Sequence, residues 1–313
     1  MAKIKTDRAL LNSFLLLLAA IIWGISFVTQ QIGGQLLGAY TFNSLRLLIG
    51  ALVVYIAALI LDKAGYSQKP ANKAENKRLW LTGLGCGVFL AIGTNLQQLA
   101  LNSGVSTGKA GFLTTMYILI VPIISLFFGS RCGWNVWVGA LIAAIGMYFL
   151  CMSGSFSLET PDLLLLGGSL GFACQIVVID RYGGQVDSLR LSCVQFLISG
   201  VLSLIPALIF EMIPFAGGLT AWLVQFASGK IWISLLYMGI ASCGVGYTLQ
   251  IIGQKGVNPT VASLIMSLES VFALLAGLVF LKQLLSGREI FGCCLMFIAI
   301  CLAQINFKRR KQA

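Results

Sequence analysis

The chain alternates between long, nearly unbroken apolar runs and short polar joints. A helix needs about 20 apolar residues to cross the hydrocarbon core of a bilayer. Ten stretches reach that length, roughly 12–32, 38–61, 79–102, 107–128, 135–153, 162–180, 189–210, 231–254, 259–281 and 288–306. Only 62–78 and 211–230 are longer connections. The pattern predicts an all-α polytopic membrane protein with ten transmembrane helices. The first run follows a basic start (Lys3, Lys5, Arg8). It is too long for the apolar core of a signal peptide and no small-residue cleavage site follows it, so it reads as the first span.

The two halves match each other. At an offset of 152, Trp80 pairs with Trp232, Gly87 with Gly239, Gln98 with Gln250, Gly104-Val105 with Gly256-Val257, Ala110 with Ala262 and Phe128 with Phe280. The first two spans of each half align at an offset of 149, which sets Trp23 on Phe172 and Arg46 on Gln195. Gly, Ala and Leu recur by chance in apolar sequence, but paired Trp, Gln and Gly-Val positions in one register make chance the weaker account. The division falls at 1–154 and 155–313. Five spans per repeat is odd, so the second half enters the membrane inverted relative to the first. Inverted repeats are a recurring plan of secondary transporters, with the substrate site between the halves near the midplane.

Composition agrees. Of 313 residues 58% are hydrophobic and 10% charged, with mean hydropathy +0.93, whereas a soluble domain carries about 25% charged residues. The net charge of +11 suggests nucleic acid only until its placement is seen. Nearly all the cations lie at the ends of apolar runs, where they meet lipid headgroups and set orientation. Sixteen of the 21 Lys and Arg fall on the side of the N-terminus and four on the other, with Arg46 inside the second span. Both termini are therefore expected in the cytoplasm, with the chain in the cell membrane. Nine cysteines without metal or redox spacing, and no histidine, leave no sign of a disulfide framework or of imidazole chemistry. No cofactor is implied, and nucleic acid is not an expected partner.

The chain also carries a resemblance to a family. Trp23-Gly24 in "AAIIWGISFV", Arg46 in "SLRLLIGAL" and Leu268-Glu269 in "SLESVFALLAG" resemble motifs of the EamA-like branch of the drug/metabolite transporter superfamily. The resemblance covers essentially the whole chain. It implies a bundle of two inverted five-helix repeats that moves a small metabolite by alternating access. Two departures stand out: Arg131 and Gln283 occupy positions after spans four and nine that are often acidic in that family. Ser270 replaces a proline that usually follows the Glu269 position, which predicts a straighter ninth helix.

Glu269 lies eleven residues into its run, about 16 Å deep at 1.5 Å per residue. A charge at that depth costs roughly 2.5–3.5 kcal/mol on insertion scales and marks a functional site by default. It is a contact for a cationic or amino group, a proton carrier, or a carboxyl tying two helices together. Arg46 either holds a substrate carboxylate through its fork, snorkels outward, or pairs with a backbone carbonyl. Asn95 and Gln98 in span three, beside Gln97, and Gln250 in span eight are pocket candidates or interhelical ties. Trp23, Tyr117 and Tyr247 are candidate aromatic walls. Lys109 reads as a solvated helix-end lysine. Pro122 and Pro206 each remove a helical hydrogen bond and kink their spans.

The leading reading is a secondary transporter of a small metabolite, amino acids or amines favoured because of Glu269, with protons as partners if Glu269 carries them, and export as the expected direction. A passive channel or facilitator would need a filter built by repetition. An intramembrane enzyme would need a catalytic set, and one carboxylate with scattered amides is a poor one. No G-x-x-x-x-G-K-[ST] loop is present, which argues against direct ATP drive. The residues do not reveal the oligomeric state.

Overall fold

The structure is a computed structural model. It describes residues 2–63, 69–105, 107–129, 133–151, 159–281 and 286–304. Arg131, Gln283, the division at 154/155 and the basic C-terminal tail lie outside the described residues.

Capping chemistry marks several helix starts. Asn72 Oδ1 accepts from the Glu75 amide at 2.9 Å and Glu75 Oε2 from the Ala71 amide at 2.8 Å, which starts a helix at Lys73. Glu159 N donates to Asp162 Oδ2 at 2.7 Å, ahead of a helix whose first turn holds Pro161. Asp187 and Asn258 accept from the amides of Arg190 and Thr260 in the same manner. Each cap satisfies amides that a helix start would otherwise leave without a partner.

The helices, in order, are α1 (Ala2–Leu37), α2 (Ala39–Lys63), α3 (Lys73–Asn102), α4 (Thr107–Thr114), α5 (Tyr117–Phe127), α6 (Trp134–Cys151) and α7 (Thr160–Tyr182). They continue as α8 (Ser188–Ala207), α9 (Gly218–Val224), α10 (Gly229–Leu236), α11 (Thr248–Gly253), α12 (Pro259–Met266), α13 (Glu269–Leu281) and α14 (Gly287–Gln304). A π-helical turn, Leu208–Met212, extends α8 just after Pro206, and a longer π stretch, Tyr237–Tyr247, joins α10 to α11. Among the described residues no strand is present. Among the described residues, seven helices or continuous helical runs are long and apolar enough to cross a membrane. The stretches expected as the fifth, ninth and tenth spans hold α6, α12 with α13, and α14, which are shorter or interrupted.

Burial runs opposite to a soluble protein. Phe127, Ile233 and Phe297 are 86%, 69% and 67% exposed, while Asn43, Gln98 and Gln195 are fully buried. Such an apolar exterior suits lipid tails.

Packing crosses between the halves. Helix α2 lies against α8, α3 against α7 and α8, α6 against α14, and α1 against α11, α12 and α13. At the α3–α7 crossing a Cβ on Gly171 would stand 2.8 Å from the Gly93 amide nitrogen and 3.0 Å from the Phe89 carbonyl. Only glycine lets these backbones approach so closely. The start of α2 is capped from the other half: Tyr40 N and Thr41 N donate to the Glu211 carboxylate at 3.0 and 2.7 Å. Gly38, at φ +90°, makes room for that carboxylate.

Two expectations are corrected. The ninth span is interrupted between Met266 and Glu269 rather than straight. Ser267 Oγ donates to the Leu264 carbonyl at 2.8 Å, and Leu268 N and Ser270 N bond three residues back. Hydroxyls that bond back to a helix carbonyl bend the helix, so losing the proline does not straighten it. Lys109 is no solvated lysine: its Nζ lies 2.7 Å from Asp162, which is fully buried. That pair ties α4 to α7.

On the end of the bundle that carries the 254–258 turn, Lys255 Nζ donates to the Val186 carbonyl at 3.4 Å. Burial lowers the lysine's pKa, and the nearby charge of Asp187 opposes that shift.

Gly171→Ala is expected to lower stability by about 1–3 kcal/mol, read as a fall in the thermal unfolding midpoint in detergent. Gly184→Ala, where a Cβ meets nothing within 4 Å, should leave it in place. Glu211→Ala should cost about 1–2 kcal/mol through the lost cap of α2. An unchanged midpoint for Glu211→Ala would mean that the cap does not hold α2.

Candidate functional site

Two helices break inside the bundle at matching places. Thr115 and Met116 separate α4 from α5, and Ser267 and Leu268 separate α12 from α13. Thr115 Oγ1 donates to the Phe112 carbonyl at 3.1 Å, three residues back, as Ser267 Oγ does to that of Leu264 at 2.8 Å. A hydroxyl at each break thus competes for the carbonyls that would carry the helix on. The residues flanking the breaks, Thr114 and Tyr117 in one and Met266 and Glu269 in the other, all line a single internal cavity. Tyr117 and Glu269 are 152 positions apart and meet there, the hydroxyl donating to Glu269 Oε1 at 3.4 Å.

The cavity measures about 50 Å³. A buried water needs on the order of 10–15 Å³ by that measure, so the cavity has room for a few waters. Helix α1 supplies Trp23, Phe27 and Gln30, α2 supplies Arg46, α3 supplies Gln97, and α7 supplies Phe172, Gln175 and Ile176. Ser242, Tyr247 and Gln250 close it from the run between α10 and α11.

Two charged side chains line it. Glu269, 7% exposed, begins α13, where the helix dipole favours a carboxylate. Arg46, 2% exposed, donates from Nε to Asn43 Oδ1 at 2.7 Å and lies 5.9 Å from the Phe42 ring centre. Asn43 is held in turn by Asn95, whose Oδ1 accepts from Asn43 Nδ2 at 2.9 Å. Asn95 Nδ2 donates to Ser203 Oγ, also at 2.9 Å. The three ion pairs among the described residues are Lys69–Asp62, Lys109–Asp162 and Arg190–Asp62. Arg46 and Glu269 therefore face one cavity without pairing with each other.

The remaining polar wall is a chain of amides. Gln250 Nε2 donates to Gln175 Oε1 at 3.1 Å, and Gln175 Nε2 to Gln195 Oε1 at 3.3 Å. Gln250 Oε1 and Gln30 Oε1 are buried with no protein hydrogen-bond donor. Trp23 is held by its Nε1, which donates to the Ser242 carbonyl at 3.3 Å, and packs against Tyr247 with ring centres 4.7 Å apart.

Six of the eight residues singled out in the sequence line the cavity: Glu269, Arg46, Gln250, Trp23, Tyr117 and Tyr247. Gln98 and Asn95 do not. Gln98 Nε2 donates to the Gln30 carbonyl at 3.0 Å and to Asn102 at 3.1 Å, so it ties α3 to α1. Its neighbour Gln97 faces the cavity and donates to Thr114 Oγ1 at 3.2 Å. One residue along a helix turns a side chain by about 100°, and an apolar run gives no phase to choose between adjacent glutamines. Gln30, Thr114, Gln175 and Ser242 were missed. The signal that could have found Thr114 is its place in the repeat, 152 before Met266 and three before Tyr117.

Known proteins point the same way. The model of the EamA-like transporter family matches residues 10–152 and again 160–304. An uncharacterized transporter of Archaeoglobus fulgidus is 27% identical over 292 residues, covering 93% of this chain and 85% of its own length. The uncharacterized transporter YoaV of Bacillus subtilis is 24% identical, covering 93% and 96%. The threonine/homoserine exporter RhtA of Salmonella typhimurium is 26% identical over 231 residues, covering 67% and 72%. A solved crystal structure superposes with a TM-score of 0.73 at 19% identity, covering 94% of this chain and 96% of its own, a likeness of fold.

Proposed function

The chain belongs to the EamA-like transporter family, and on that premise we propose that it carries a small zwitterion of the amino-acid class across the cytoplasmic membrane. The observation that carries this reading is the presence of Arg46 and Glu269 in one buried cavity without an ion pair between them. Two buried charges without a mutual partner are costly in a membrane interior. A ligand with a carboxylate at Arg46 and an ammonium at Glu269 neutralises both. The Gln30 and Gln250 oxygens, each lacking a protein donor, add acceptors for ammonium or hydroxyl protons. The likeness to RhtA, a threonine/homoserine exporter, supports the amino-acid class and the export direction.

The proposed mechanism is alternating access between two inverted five-helix halves, 1–154 and 155–313, with both termini in the cytoplasm. Support comes from the packing between halves and from helix breaks 152 residues apart. Broken helices at a repeat interface are where transporters of this plan bind substrate. The cavity as it stands has room only for water-sized molecules, so a metabolite enters when the halves part, and the breaks at 115–116 and 267–268 are the proposed bending points. A cavity of this size favours a carrier over an open pore. In the same scheme Glu269 takes up the coupling proton when the amino group leaves.

The test is thermal unfolding of detergent-purified protein with threonine, N-acetylthreonine and threonine amide. A ligand at about a hundred times its dissociation constant adds roughly 2.7 kcal/mol to the folded state. Threonine should stabilise the wild type while both derivatives fail, and Glu269→Gln and Arg46→Ala should lose the response. Equal stabilisation by threonine and N-acetylthreonine would remove the ammonium contact at Glu269.

Proton coupling is tested separately. Threonine flux into proteoliposomes should step with pH in the wild type, and Glu269→Asp, which keeps a titratable carboxylate, should keep the step. Wild-type flux that does not vary with pH sinks the proton role while leaving the substrate role standing.

A further inference from the structure

Away from the central cavity, an open groove of about 550 Å³ runs between one end of α3 and the adjoining end of α7. Its α3 wall is Ala74, Lys77, Arg78, Leu81, Thr82 and Gly85. The steps of three and four put these residues on one face of the helix. That face is graded. The exposed cations Lys77 and Arg78 stand at the helix end, and the wall becomes apolar from Leu81, which is 58% exposed, to Gly85. Gly85 keeps the floor open: a Cβ there would only just touch Val178, at 3.4 Å. Val178 and Tyr182 form the α7 wall, and no carboxylate is among the lining residues described. Glu75, nearest in sequence, has both oxygens turned to the helix cap, accepting from Ala71 N and Asn72 Nδ2 at 2.8 and 3.0 Å.

We propose that this groove binds one anionic phospholipid, its phosphodiester at Lys77 and Arg78 and an acyl chain along Leu81, Gly85 and Val178. The shape and charge match an amphiphile. From Ala74 to Gly85 the groove follows the helix for about 16 Å at 1.5 Å per residue. Basic pockets between helices at the cytoplasmic surface are the sites where anionic headgroups dock. A soluble anion has no use for the apolar continuation, and a zwitterionic headgroup gains little from two cations. With the N-terminus in the cytoplasm, as the distribution of Lys and Arg indicates, the lipid belongs to the inner leaflet. Nothing in this site depends on the substrate of the central cavity.

The experiment is native mass spectrometry of the whole chain, purified and exposed to equimolar dioleoyl phosphatidylglycerol and dioleoyl phosphatidylcholine. The chains are identical, so the ratio of adducts reads the headgroup alone. Each surface cation is worth about fivefold toward an anionic headgroup, so a preference of about 25-fold is expected for the glycerol lipid. Lys77→Gln with Arg78→Gln, both at exposed positions, should erase the preference. Gly85→Leu, which fills the groove, should reduce retention of both lipids. Equal retention of the two lipids by the wild type overturns the proposal. So does a preference that survives Lys77→Gln with Arg78→Gln, and so does displacement of the bound lipid by inorganic phosphate alone, which would make this a soluble-anion site.

Discussion

A backbone in hydrocarbon has to satisfy its own hydrogen bonds, because no water is there to do it. Several departures from regular α-helix in this bundle have a local replacement. Thr115 and Ser267 occupy helix carbonyls with their hydroxyls at the two breaks. Glu211 covers the first amides of α2 from across the interface between halves. The same constraint explains why the breaks are tolerated. They sit inside the bundle, against a polar cavity, and not against lipid.

Those breaks position the site. Each places a residue at the end of one half-helix and another at the start of the next on the cavity wall, so Thr114 and Tyr117 face Met266 and Glu269. Arg46 is oriented from behind by Asn43, which Asn95 holds in turn. The contrast with Lys109 and Asp162 is instructive. That pair is closed at 2.7 Å and ties two helices, whereas Arg46 and Glu269 share a cavity without closing on each other. A closed pair has no use for a ligand, whereas the separated pair is what the proposed zwitterion would complete.

Much of this was legible in the chain. Glu269 stood out because one carboxylate in a long apolar run has to be explained, and Arg46 for the same reason. Trp23, Tyr117, Tyr247 and Gln250 were legible from type and depth. What could not be read was rotation. Gln97 and Gln98 are adjacent, equally polar and at nearly equal depth, yet one faces the cavity and the other bonds to α1. In a soluble helix the apolar stripe supplies that phase. In a span that is apolar all round it does not.

The sequence by itself determined the all-helical class, the membrane environment and the match between halves, because these follow from run length, composition and spacing along one dimension. The family followed from the same information. The tertiary structure alone decided that Tyr117 and Glu269 meet, that Lys109 is paired, that the ninth span is broken, and which glutamine faces inward. Those outcomes depend on how far each helix turns and on what the opposite half presents to it, and neither is written in hydropathy.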